Sequence, residues 1–200
     1  MRHGFLVAAM LGVACTVAGC GDNLTGVTPS QSYVFSFEND TQGWTDRAMD
    51  IDNPPVEWNI QRAIDMARDG TASMKFYLAN YNDKGKIWME RAFEVDSSAN
   101  YRVDVRYQFA TSDFGQANLW RIITGVQSHP VTSVDDLTMR DDTGNGANSD
   151  AGYLWTGKQY TVDRRSSAGG KIYVSIGVWG TWETPRTYYV DFVYIAFFKL

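Results

Sequence analysis

The stretch from Thr187 to Phe198, TYYVDFVYIAFF, constrains the fold more than any other part of the chain. Its residues are aromatic, β-branched or small, except Asp191, which alone is charged. Alternation along a strand sends Tyr188, Val190, Phe192, Tyr194 and Phe198 to one side. Tyr189, Asp191, Val193, Ile195 and Phe197 then point to the other side. A strand apolar on both faces belongs in the middle of a sheet. A carboxylate placed there needs a hydrogen-bond donor, a cation or a metal.

The rest of the chain follows the same period of two. Tyr101 to Phe109 sets Val103, Val105 and Tyr107 against Arg102, Asp104 and Arg106, the pattern of a half-buried antiparallel strand. Similar runs cover 33–38, 56–64, 72–79, 86–94, 117–126, 153–162 and 171–179, parted by turns rich in Gly, Pro, Asn and Asp. No segment has a helical period. About eight or nine short strands without helices predict an all-β, two-sheet antiparallel sandwich over residues 33–200. A 14% share of aromatic residues suits such a core. The net charge of −5, without any Lys/Arg cluster, argues against a nucleic-acid surface.

The first twenty residues, MRHGFLVAAMLGVACTVAGC, read as a leader. Arg2 and His3 form its positive end, and the apolar run from Phe5 to Val17 is too short for a permanent membrane helix. The sequence Val17-Ala18-Gly19-Cys20 resembles the lipobox of bacterial lipoproteins, which implies removal of residues 1–19 and lipidation of Cys20. The other reading is an ordinary secretory leader cut at a small-residue site. Asp does not directly follow the cysteine, and by the sorting habit of Gram-negative lipoproteins the expected address is the outer membrane. Residues 20–32 are polar and serve as a tether. Both cysteines, Cys15 and Cys20, belong to this leader, so the domain itself has no disulfide, thiolate metal site or cysteine nucleophile. His129 is the one histidine of the domain, which excludes a multi-histidine zinc centre.

Three stretches, VFSFENDTQGW, RDGTASMKF and YYVDFVYI, resemble the jelly-roll carbohydrate-binding modules and the wider galactose-binding-like superfamily. In those modules a structural Ca²⁺ is held by an acid of the first strand, turn carbonyls and an Asp of the last strand. Carried over, the resemblance implies Glu38, the Asp69-Gly70 turn and Asp191 as the calcium set. The alternative is that Asp191 accepts hydrogen bonds within a sheet face, with Arg121 as a partner. Asp141 to Asp150 matches an EF-hand loop in part, but Gly152 stands where that loop needs a bidentate acid, and a polar turn fits better.

Sugars stack their C–H faces on aromatic rings while polar side chains bind their hydroxyls. Trp179, Trp182 and Trp155, with Glu183 and Arg186, are the candidate residues for this. The competing use of such rings is the sandwich core. No nucleophile elbow accompanies His129, and no residue is singled out as catalytic. The expectation is a non-catalytic, lipid-anchored module for polysaccharide or cell-surface glycan. Its alternatives are a structural or adhesive envelope lipoprotein, and a lyase or glycosidase on the same fold.

Overall fold

Among the described residues, strand-forming residues with alternating burial build eleven strands. They are β1 (Gln31–Phe35), β2 (Thr45–Met49), β3 (Trp58–Ala63), β4 (Ser73–Ala79), β5 (Lys86–Glu94), β6 (Asn100–Thr111), β7 (Trp120–Gln127), β8 (Met139–Thr143), β9 (Leu154–Arg165), β10 (Lys171–Gly180) and β11 (Pro185–Lys199). The computed structural model describes residues 28–112, 120–143, 153–180 and 185–200, without the side chains of 141–143. The leader with Cys20, the start of the tether, Trp182 and Glu183 lie outside the described residues, as do the side chains of the loop from Asp141 to Asp150.

One sheet has six strands, ordered β3-β4-β11-β6-β9, with β1 also on β11; the other has five, ordered β2-β5-β10-β7-β8. Every pairing is antiparallel. The two inner faces meet in a core that includes Phe76, Phe93, Phe109, Trp120, Tyr188 and Phe197. One polar tie crosses that core: Tyr107 of β6 and Thr124 of β7 share a 2.6 Å hydrogen bond between their hydroxyls. Burial pushes the Tyr107 phenol well above its ordinary range.

β11 is the central strand, as its composition predicts. On one edge it pairs with β4 over Pro185–Val190 and with β1 over Val193–Phe197. The register against β6 shifts between Asp191 and Tyr194, where Phe192 takes φ +47. This bulge corrects the expected strict alternation. Before it Tyr188 and Val190 face the core, and after it Val193, Ile195 and Phe197 do so. Phe192 is instead 43% exposed. An extra residue inserted in one strand reverses the phase beyond it.

Two strands go beyond the expected count, β2 (TDRAM) and β8 (MRDDT). Both are polar, and both lie at the edges of the five-stranded sheet, where side chains need no apolar partner.

Candidate functional site

The expected calcium residues do come together, around the turn at 68–72. Asp191, completely buried, receives the backbone N–H groups of Arg68 (2.7 Å) and Asp69 (2.9 Å) on Oδ2. Its Oδ1 takes the N–H of Phe192 at 2.6 Å. Burial raises the Asp191 carboxyl above its ordinary range, and these donors oppose the rise. Glu38 closes the other side of the turn. It accepts the Thr71 hydroxyl at 2.7 Å, the Thr71 N–H at 3.0 Å and the Ala72 N–H at 3.2 Å. The Thr71 hydroxyl, followed by its N–H, holds the Glu38 carboxyl below its ordinary range. Gly70 sits at φ +66, where a Cβ would collide with the Glu38 carboxylate.

Calcium takes about six to eight oxygen ligands. Here both carboxylates accept backbone N–H groups of the turn. The carbonyls of Phe37 and Glu38 are bound by the Arg62 guanidinium, through Nε at 2.7 Å and Nη2 at 2.5 Å. Among the described residues no group of three or more His, Cys, Asp or Glu is placed to hold a metal ion. The donor set fits a hydrogen-bonded clamp and does not fit a calcium cage. Arg121, the alternative partner for Asp191, lies in the other sheet, opposite Trp179.

The described candidates, Trp179, Arg186 and Trp155, do not form one site. Trp179 is half-buried on the outer face of the five-stranded sheet. Lys86 Nζ lies 5.1 Å and the Arg121 guanidinium 5.9 Å from its ring centre. Arg186 is 8% exposed and shares the inward face of β11 with Tyr188 and Val190. Trp155 lies on β9 opposite Ala110, at the edge of the six-stranded sheet. Tyr160 and Val162 of that strand pack on the core, so the odd-numbered positions, Trp155 included, face outward.

The outer face of the five-stranded sheet is covered. Residues 128–138 cross it with a 3-10 turn at Val134–Asp136, and Val131 and Leu137 join Trp88 and Ile123 in a second small core. Trp88 lies against Gly177, where a Cβ would collide with it. Glu90, 3% exposed, accepts the Val131 N–H at 2.8 Å, and Gln127 donates to the Asp136 carbonyl at 2.6 Å. Asp136 Oδ2 in turn accepts the backbone N–H groups of Thr132 and Ser133, each at 2.9 Å. The Thr132 N–H is the largest of the hydrogen bonds that hold the Asp136 carboxyl down to about 2.

The outer face of the six-stranded sheet carries a groove of about 460 Å³. It runs over β6, β11 and β9 at the bulge. Arg106 stands between Tyr194 on one neighbouring strand and Gln159 on the other, and Gln108 faces Gly157. Gly157 has no side chain to fill the space between Trp155 and Gln159. Phe192 and Tyr194 supply the aromatic wall. The Arg106 guanidinium lies 5.7 Å from the Tyr194 ring centre and 3.4 Å from Asp104, whose other oxygen accepts the Thr161 hydroxyl. Sequence reasoning missed this groove, because Arg106, Gln108 and Gln159 read as an ordinary wet strand face. Gly157 within a strand was its one local signal.

No protein-family model matches the chain, and no curated protein matches it. Solved structures do resemble it in fold. The K2 cleaved adhesin domain of Lys-gingipain is 14% identical, with 84% of this chain and 98% of that one covered, at a TM-score of 0.50. The CBM22-1 xylan-binding domain from Paenibacillus barcinonensis Xyn10C is 15% identical over 84% and 94% of the two chains, at 0.44. TmCBM61 in complex with β-1,4-galactotriose is 13% identical over 82% and 94%, at 0.42. The β-sandwich implied by the sequence resemblance is therefore the fold, and at this identity the likeness is one of fold alone.

Proposed function

We propose that the chain is an exported, lipid-anchored, non-catalytic module that binds polysaccharide or cell-surface glycan. The groove at the β11 bulge carries this reading. It sets two aromatic rings beside amide and guanidinium donors, the combination that stacks on a sugar ring while holding its hydroxyls. Among the described residues no pair of carboxylates lines it, the arrangement that most glycoside hydrolases use.

The test is binding of the full-length protein to a panel of soluble polysaccharides, read as a rise in Tm and as retardation in affinity gels. At least one glycan should raise Tm, and Phe192→Ala should abolish the rise. Binding that survives Phe192→Ala would move the site elsewhere, and no binding to any glycan would end the reading. Release of unsaturated sugar ends would replace the binding module with a lyase. The anchor is tested separately. Cys20→Ser should move the protein from the membrane fraction to the soluble one, and persistence in the membrane would remove the lipid from the proposal.

A further inference from the structure

Resting on the glycan-binding reading, we propose that Asp191 is the positioning residue of that site: its carboxylate holds Phe192 in the left-handed conformation that brings the ring to the groove wall. Among the described residues, six other than glycine lie in the left-handed region: Gln42, Asp50, Asp83, Ser98, Phe37 and Phe192. Polar turn formers tolerate that conformation, and a bulky ring does not. Both phenylalanines need something to hold them there. Both stand next to a carboxylate of the same clamp, Phe37 before Glu38 and Phe192 after Asp191.

Phe37 is held by packing and by hydrogen bonds. It is completely buried, its N–H donates to Gln42 Oε1 at 2.8 Å, and Arg62 Nε binds its carbonyl. Phe192 is 43% exposed, so packing does less for it. Its N–H donates to Asp191 Oδ1 at 2.6 Å, a charge-assisted bond of the strong kind. Asp191 Oδ2 meanwhile takes the N–H groups of Arg68 and Asp69, at 2.7 and 2.9 Å. Three donors from two segments fix the carboxylate, and its complete burial makes losing any of them costly. A strained residue persists where its surroundings over-determine it. The bulge then re-aims one side chain: Val190 and Val193 face the core on either side of it, while Phe192 lines the groove. A ring set before the ligand arrives spares the cost of ordering it on binding.

The experiment compares the full-length wild type with Asp191→Asn and Glu38→Gln. Glu38 bonds only to Thr71 and Ala72 of the turn, so Glu38→Gln loosens the clamp without touching Phe192. Each chain is read twice: by the three-bond HN–Hα coupling of residue 192, which reports its φ, and by affinity for soluble xylan, galactan, β-glucan and polygalacturonate. In Asp191→Asn the coupling should move to the large value of extended backbone. Affinity for whichever glycan binds wild type should fall about tenfold, the effect of one hydrogen bond to a charged group. Glu38→Gln should keep the wild-type coupling and affinity. An unchanged coupling in Asp191→Asn, or an affinity within about twofold of wild type, would overturn the proposal. An equal affinity loss in Glu38→Gln would trace the effect to the turn and overturn it too. Hydrogen exchange in wild type keeps the test alive should Asp191→Asn fail to fold. The Phe192 amide should exchange as slowly as those of Arg68 and Asp69, and free exchange there would remove the lock. If neither these four glycans nor the wider panel bind wild type, the glycan reading ends and Asp191 positions no ligand site. An altered coupling in Asp191→Asn would then still show that the carboxylate holds Phe192.

Discussion

The two outer sheet faces are built by the same alternation and end in opposite states. On the five-stranded sheet the outward-pointing Trp88 is 1% exposed, because residues 128–138 fold across it and bring Val131 and Leu137 onto its ring. On the six-stranded sheet the outward-pointing Phe192 is 43% exposed, although the turn at 68–72 covers its neighbour Asp191. A strand pattern decides which residues leave the inner core. It does not decide whether they reach solvent; that depends on a connection elsewhere in the chain. The covered face acts as a second core and the open face as a candidate site.

The sharpest way to break this comparison is to truncate one aromatic on each face. Trp88→Ala should cost about 3–5 kcal/mol in urea unfolding, the range for emptying a large buried aromatic site. Phe192→Ala should stay within about 0.5 kcal/mol of wild type, as exposed positions do. Similar losses from both variants would mean that the two faces are equally structural.

A smaller effect separates two of the carboxylates that hold backbone N–H groups on these faces, Asp191 and Asp136. Asp191→Asn should cost about 2 kcal/mol at neutral pH, since a charge-accepting buried oxygen is replaced by an amide nitrogen or oxygen that serves three N–H donors less well. The pH dependence should then run in opposite directions. Burial raises the folded Asp191 carboxyl above 3.8, so the folded state holds its proton better than the unfolded chain. Its contribution improves as pH falls through the folded value towards 3.8. Hydrogen bonds hold folded Asp136 at about 2, so its stabilisation is complete above 3.8 and drains away between 3.8 and about 2. Unfolding from pH 6 to 2.5 should show the gap between wild type and Asp191→Asn widening in acid, and the gap to Asp136→Asn closing. Parallel slopes for the two variants would refute the contrast.

Much of this was legible in the sequence, and the exceptions share a cause. Asp191 stood out as one charge in an apolar strand, and it does anchor the turn at Asp69 and Gly70 together with Glu38. Arg121 was misjudged as its hydrogen-bond partner, because bonds from backbone N–H groups leave no mark in side-chain identity. β2 and β8 were invisible because polar edge strands lack an alternating apolar face. The groove was missed because it depends on a bulge, and TYYVDFVYIAFF carries no glycine or proline to announce one. Trp179 and Trp155, grouped as sugar-binding candidates, lie in different sheets, a separation that only strand order could reveal.

The smallest expected effect bears on the clamp beside the open face. A divalent ion that bound only the folded state at a hundred times its dissociation constant would add about 2.7 kcal/mol, and Tm would rise by several degrees. In this chain the cation beside the Phe37 and Glu38 carbonyls is already present as Arg62, and both carboxylates face N–H donors. A calcium ion would have to displace the guanidinium and turn the 68–72 backbone before it gained its oxygens. Thermal melts in millimolar Ca²⁺ and in EDTA should therefore coincide. A shift of several degrees would show that the turn reverses its peptide groups to coordinate the ion. The clamp would then become a metal site, and the open face would rest on calcium as the covered face rests on Trp88.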